Sequence, residues 1–279
     1  MINVSDQLLK ESRENQNYYV TAKATLFDGT KLDLKKEAFY LDGNEIVDAA
    51  DSGDFPIGVA IEKTATLSLV NDEEQFSDYS FNKAVFEIYM NLELSDGKVE
   101  SFKRGSFIVC KKPAMDAEIN LTLLDCMSKT DKDYDTNLIF PCTAGEMLRD
   151  SSQSCGIAVG DATFPNDDFQ VMKKPPGPTH RAVIGMIAAL AGGNARADEN
   201  DLLRIVTYSK IDKDNFSGLQ LFGVDDVEMD IDEIMVTGVK CTLDKKEYVY
   251  GQEGYMINLK DNPLLSGNAQ DGVNRIGRI

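Results

Sequence analysis

The stretch from Thr179 to Tyr208 (THRAVIGMIAALAGGNARADENDLLRIVTY) constrains the fold more than any other part of the chain. Thr179 stands at an N-cap position, where its hydroxyl takes up a free amide of the first helical turn. Ala182, Val183, Ile184, Met186, Ile187 and Leu190 cover most of one helical surface, so this helix is expected to be buried. Gly192 and Gly193 offer the positive φ that ends a helix. Asn194–Ala197 then reads as a strand, Asp198–Asp201 as a polar turn and Leu202–Tyr208 as the returning strand. The segment specifies packing and carries no chemistry.

Up to Leu124 the pattern is that of short strands. Tyr18–Leu26 alternates, Asp28-Gly29 is a hairpin turn and Lys31–Leu34 begins the return. Asp42-Gly43 marks another turn. Ile57–Val70 (IGVAIEKTATLSLV) is a β-branched run, expected to bend near its middle. Val85–Leu94 pairs across Asp96-Gly97 with Val99–Arg104, Phe107–Cys110 follows, and Glu118–Leu124 closes the set. Such a succession predicts an antiparallel β-barrel or sandwich over residues 1–124, and we take the barrel as the expectation.

Residues 125–226 change character. Thr143 and Glu146 form a capping box, which starts a helix over Ala144–Cys155 with Gly156 as its stop. Gly160–Pro178, with Pro165, Pro175, Pro176 and Pro178, suits an ordered loop or linker. The Thr179 helix and its hairpin complete a small α/β domain. In residues 227–279, Glu228, Asp230 and Asp232 give a strand with one acidic and one apolar face. Met235–Leu243 and Tyr248–Tyr250 form a hairpin around Asp244-Lys245, and Gly254–Leu259 is a further strand. Asn268–Ile279 reads as a helix that stops without a C-cap. We expect the chain to be the amino-terminal piece of a longer protein. The class is α+β, mainly β.

A net charge of −18 argues against a nucleic-acid partner, since Lys35-Lys36, Lys111-Lys112 and Lys245-Lys246 are isolated pairs with no basic cluster. The longest apolar run, Ala182–Ala191, is too short to cross a bilayer. The polar opening MINVSDQ does not read as a signal peptide, and LLKESREN reads as a helix. Cys110, Cys126, Cys142, Cys155 and Cys241 are odd in number and scattered. They suit reduced, packed thiols in a bacterial-type cytoplasm.

His180 is the only histidine, so a Ser-His or Cys-His nucleophile pair has to use it. The helix end and Arg181 both favour a neutral imidazole there. No serine or cysteine sits in a nucleophile elbow, and His180 is expected to be a surface or interface residue. Asp131, Asp133 and Asp135 imitate the start of a calcium loop. The imitation fails at Thr136, where the glycine belongs, and at Cys142, where the bidentate glutamate belongs. The acidic run Asp225, Asp226, Glu228, Asp230, Asp232 and Glu233 could gather a cation or meet a basic partner, and a solvated strand edge is the favoured reading. Gly192-Gly193 follows a helix instead of preceding one, which does not make a phosphate cradle. We therefore assign no catalytic, cofactor-binding or metal-binding residue. Tyr18, Tyr19, Tyr79 and Tyr89 are the aromatic candidates for a receptor or carbohydrate patch, and strand packing is the favoured reading of them.

Leu121–Tyr134 (LTLLDCMSKTDKDY), Phe140–Ile157 (FPCTAGEMLRDSSQSCGI), the Thr179–Tyr208 unit and Gly251–Leu265 (GQEGYMINLKDNPLL) occur in an order that resembles the tail hub proteins of phages and prophages of Gram-positive bacteria. The hub of T-even contractile phages is a more distant relative. The resemblance implies a structural subunit of the tail tip, made in the host cytoplasm and assembled as a homotrimeric ring. Its partners would be the distal tail or tube protein and the tape measure protein. It also implies that residues 227–279 begin a second, incomplete barrel, and that later residues, beyond those in this chain, complete it and carry any hydrolase or receptor-binding part. The competing readings are a tail-associated cell-wall hydrolase or peptidase and a receptor- or carbohydrate-binding module.

Overall fold

In the computed structural model the described residues are 5–11, 18–50, 56–207, 236–259 and 262–279. A short helix α1 (Asp6–Glu11) precedes β1 (Tyr18–Thr25) and β2 (Lys31–Leu34), and a 3-10 turn covers Lys36–Ala38. Then come β3 (Glu45–Val47), β4 (Ala60–Ile61), β5 (Thr64–Val70), β6 (Val85–Glu93), β7 (Val99–Val109) and β8 (Glu118–Leu124). A second 3-10 turn at Cys126–Thr130 leads to β9 (Cys142–Thr143), α2 (Ala144–Ser154), β10 (Gln170–Val171) and α3 (His180–Leu190). The last elements are β11 (Gly193–Ala197), β12 (Leu203–Thr207), β13 (Val236–Leu243), β14 (Lys246–Gly251), β15 (Tyr255–Asn258), a 3-10 turn at Pro263–Leu265 and α4 (Ala269–Ile276).

Seven strands make one antiparallel sheet in the order β2-β1-β6-β7-β8-β5-β3. Chain length forces it to curl. Five strand spacings separate β2 from β5, about 24 Å in a flat sheet. Yet Phe39, five residues after Leu34, bridges to Leu69 of β5, and five residues reach at most about 18 Å. The inward side chains of the whole sheet, among them Ala24, Leu67, Phe86, Phe107 and Leu121, consequently share one core. The expected barrel differs in its closure. The Phe39–Leu69 bridge and the Tyr40 N–H donating to the Ser68 carbonyl (3.0 Å) stitch the seam, while β2 and β3 stay edge strands. Lys31, Asp33, Glu45 and Val47 lie exposed along those two edges, and three of the four are charged, which discourages stray pairing.

Two strand boundaries depart from the sequence reading. The Ile57–Val70 run does bend, and the bend divides it between sheets: β4 pairs parallel with β11, whereas β5 belongs to the curled sheet. Val99–Val109 is a single strand with no break after Arg104. Its irregularity is a bulge, because Ile88 pairs with Gly105 and Tyr89 with Lys103, leaving Arg104 as the extra residue. Gly105 has φ +143°, which an L side chain rarely adopts.

The second core is built on α2, α3 and the sheet β12-β11-β4. Met147 and Leu148 of α2, Val183, Ile184 and Ile187 of α3, and Ala195 and Leu203 of the hairpin are buried together. Val239 and Cys241 of β13 and Val273 and Ile276 of α4 pack into this same core. The capping box is formed in both directions: Glu146 N–H donates to Thr143 Oγ1 (3.1 Å), and Thr143 N–H donates to Glu146 Oε2 (2.7 Å). Thr179 Oγ1 accepts from Ala182 N–H at 3.2 Å.

Of the two glycines after α3, only Gly192 takes positive φ (+70°). Gly193 already belongs to β11, and a Cβ on it would lie 2.1 Å from the Val206 carbonyl oxygen, so close backbone approach is what requires glycine there. The hairpin β13–β14 turns at Asp244 and Lys245, both at positive φ (+49° and +65°), as a two-residue primed turn demands. β15 lies parallel to β13, giving a third sheet, β14-β13-β15. α4 ends at Ile276, and Gly277 follows in right-handed conformation with its N–H donating to the Val273 carbonyl (3.0 Å), an ordinary helical bond and not a left-handed glycine cap. Gly160–Pro178 is irregular apart from β10, which pairs with β9. The acidic run from Asp225 to Glu233 lies outside the described residues.

Candidate functional site

His180 opens α3, and its backbone N–H donates to the Lys132 carbonyl (2.9 Å). The side chain is only 1% exposed, so the expectation of a surface or interface histidine is corrected. α3 packs on α2, which brings the ring against two serines that sequence spacing did not single out. Nδ1 lies 2.8 Å from Ser151 Oγ, and Nε2 lies 3.4 Å from Ser154 Oγ. The Tyr134 ring meets the imidazole edge-on, with centroids 5.2 Å apart. Burial, then the nearby Lys132 charge, lowers the imidazole pKa, so the ring is neutral near pH 7.

A nucleophile, a base and an orienting carboxylate make a hydrolytic triad only when a substrate reaches the nucleophile. Ser151 is fully buried, and the partner of Nδ1 is a hydroxyl. The closest acid along α2, Asp150, accepts instead from Thr136 Oγ1 (2.7 Å). Ser154 is exposed but stands at a long 3.4 Å. This arrangement ties the end of α2 to the start of α3. A signal for it existed in the sequence: Ser151 falls on the buried face of α2 with Ala144, Met147 and Leu148, where a hydroxyl needs a partner.

The three aspartates of the calcium-like loop diverge. Asp131 binds Arg181 through both carboxylate oxygens (2.5 and 2.7 Å). Asp133 forms a backbone bridge with Thr179, and Asp135 projects into solvent 3.7 Å from Lys174. Among the described residues, no group of three or more His, Cys, Asp or Glu side chains converges on a point that a metal ion would fill. The tyrosine candidates are dispersed as well. Lys36 lies over the Tyr19 ring at 5.0 Å and Lys23 over Tyr89 at 5.4 Å, while Tyr79 packs on the core of the curled sheet. Cys142, Cys155 and Cys241 are buried, Cys126 is half-buried with its thiol pushed up to about 12 by burial, and Cys110 is exposed instead of packed. Among the described residues, no helix is long and apolar enough to cross a membrane.

A concavity of about 870 Å³ opens between the curled sheet and the β11–β12 hairpin. Its walls are charged. Arg196 pairs with Asp48, and Arg204 binds both Asp161 (2.5 Å) and Asp198 (2.9 Å). Asp201, at the hairpin turn, accepts from the N–H (2.9 Å) and Oγ (2.6 Å) of Ser106 on β7, and Lys103 lies 3.3 Å away. The hairpin tip is thereby fastened to β7 beside its bulge. At the crossing between the two cores, Asp125 N–H donates to the Lys63 carbonyl (3.0 Å), and both side chains are buried. Burial raises the Asp125 carboxyl from 3.8 to about 6, against the opposing pull of the Met127 N–H and the Lys63 charge.

No protein-family model matches the sequence, and no curated protein matches it. Among solved structures the chain is similar to the 43 kDa tail protein of prophage MuSo2 from Shewanella oneidensis, at 14% identity and TM-score 0.51, over 94% of this chain and 76% of that one. A tail protein from Neisseria meningitidis MC58 is more distant (13% identity, TM-score 0.46, 90% of this chain and 75% of that one). So is the Francisella PdpA-VgrG complex (10% identity, TM-score 0.43, 90% of this chain and 45% of that one). The likeness to the MuSo2 protein takes in the curled sheet and the second core, and what the two chains share is their fold.

Proposed function

We propose that this chain is a structural subunit of a phage or prophage tail, placed at the tail tip as part of a trimeric hub ring. One observation carries the reading: the fold likeness to a prophage tail protein extends over 94% of the chain. On this reading the curled sheet through Leu124 is the first barrel, residues 125–226 form the outer α/β part, and residues 227–279 begin a second barrel. Its partners are copies of itself, the distal tail or tube protein and the tape measure protein, and the virion is that of a Gram-positive host. Physical features agree with such a role. The edge strands β2 and β3 leave backbone groups for neighbours. A charge of −18 keeps subunits apart until correct surfaces align.

The hydrolase reading has no specific observation in its favour, because the one histidine is sealed against a buried serine. The receptor-module reading is no better supported, since lysines cover two of the candidate tyrosine rings. Light scattering across a concentration series, on this chain and on a version extended at its carboxyl end, tests the proposal. A trimer in either form is the expected result. A strict monomer in both overturns the ring.

A further inference from the structure

Three features meet in the charged groove. The bulge in β7 leaves Arg104 without a ladder partner and turns its side chain into the concavity. Arg104 has no ion pair or hydrogen bond among the described residues, whereas Arg196 and Arg204 are already held by aspartates. Lys63, buried at the back of the same groove, lies 3.5 Å from the Asp198 carbonyl and over the Phe107 ring at 5.8 Å.

The opposite wall is a strand edge. Leu203 N–H donates to the Ala158 carbonyl and the Leu203 carbonyl accepts from Gly160 N–H, both at 2.8 Å, so Leu203 faces away from β11. On the far side of the hairpin, Ala195 N–H donates to the Val59 carbonyl, which fixes the other edge. With a period of two, Ile205 and Thr207 also turn their N–H and C=O groups outward, into the groove that they line. The start of this edge already accepts an extended segment, since Val159 forms a parallel bridge with Leu203 before the chain departs at Asp161.

We propose that this groove docks an extended acidic segment of a partner polypeptide, which adds as a strand along Ile205–Thr207 and directs a carboxylate at Arg104. Strand addition supplies main-chain hydrogen bonds, and the alternate side chains supply selectivity. Among the described residues Asp48, Asp161 and Asp198 on the walls are already engaged by Arg196 and Arg204, which leaves Arg104 as the cation that an incoming carboxylate can meet beside the strand edge. The short edge makes a weak, exchangeable site. The inference is independent of the tail reading and concerns this groove alone.

Fluorescence anisotropy of a labelled decapeptide alternating Glu and Val, titrated with the full chain, tests it. The Glu-Val peptide should bind, a Lys-Val peptide should not, and binding should weaken as salt rises from 50 to 500 mM, an approximate range chosen to span strong and weak screening. Arg104→Glu should lower affinity about tenfold. Thr207→Pro removes only an outward N–H, a change an edge strand tolerates, and should weaken binding to a similar degree. Absence of Glu-Val binding, equal binding of the Lys-Val peptide, or unchanged affinity in both variants with native circular dichroism would overturn the proposal.

Discussion

Replacing Asp125 with Asn isolates the cost of a buried charge at the crossing between the two cores. Asn keeps the oxygen that accepts from Met127 N–H (3.0 Å) and cannot ionise. In the folded chain burial raises the carboxyl from 3.8 to about 6. The folded state therefore holds its proton more tightly than the unfolded one, and acidification through this window adds stability to the wild type. The full interval corresponds to about 3 kcal/mol. At pH 5.0, still above the isoelectric point of about 4.5, linkage yields about 1.4 kcal/mol of it, and at pH 7.5 almost none. His180 acts in the opposite sense. Its pKa is lowered by folding, so the stability it contributes is lost as pH falls below its ordinary value near 6.5. Comparing Asp125→Asn with wild type at each pH cancels that contribution, together with every other group common to both. The assay is urea unfolding followed by circular dichroism and tyrosine fluorescence, the chain having no tryptophan. The stability of the variant relative to wild type should fall by about 1.4 kcal/mol between pH 7.5 and 5.0. A difference that stays flat, or rises, refutes a raised Asp125.

Two further substitutions test the packing around α3. Gly185→Ala should improve helix propensity by about 1 kcal/mol, yet its Cβ would lie 2.5 Å from the Gly58 carbonyl oxygen. Overpacking against backbone should win, giving a net loss of about 2 kcal/mol and a lower Tm. Ser151→Ala strands the buried Nδ1 of His180 and should cost about 1–3 kcal/mol, whereas Ser151→Ala with His180→Leu should cost less than the two singles added together. A double-mutant cycle in urea measures this coupling, and an additive result would mean that the 2.8 Å contact contributes nothing.

Local signals determined the elements in which one stretch of chain settles its own free energy. Thr143 with Glu146, and Thr179 before a buried apolar face, place helix starts because the cap and the first-turn amides lie within three residues of each other. The turn at Asp244-Lys245 and the strand Glu118–Leu124 were legible for the same reason. Bends and bulges were less so: the break between β4 and β5, and the unbroken course of β7 past Arg104, depend on which partner strand each residue meets. The second glycine after α3 is a comparable case, since the Val206 carbonyl that demands it lies across the hairpin.

The candidate sites show the same division. From sequence, His180 stood alone and the Asp131–Asp135 spacing suggested convergence. Helix packing then buried His180 against Ser151, while Arg181 and solvent drew the aspartates apart. The charged groove and the buried Asp125 had no counterpart in any local pattern, because each joins residues from both cores, and the outward edge of β12 depends on which side β11 takes. Capping, periodicity and turn chemistry act over a few residues and are written along the chain; desolvation, ion pairing and sheet closure depend on distances that only the folded tertiary structure sets.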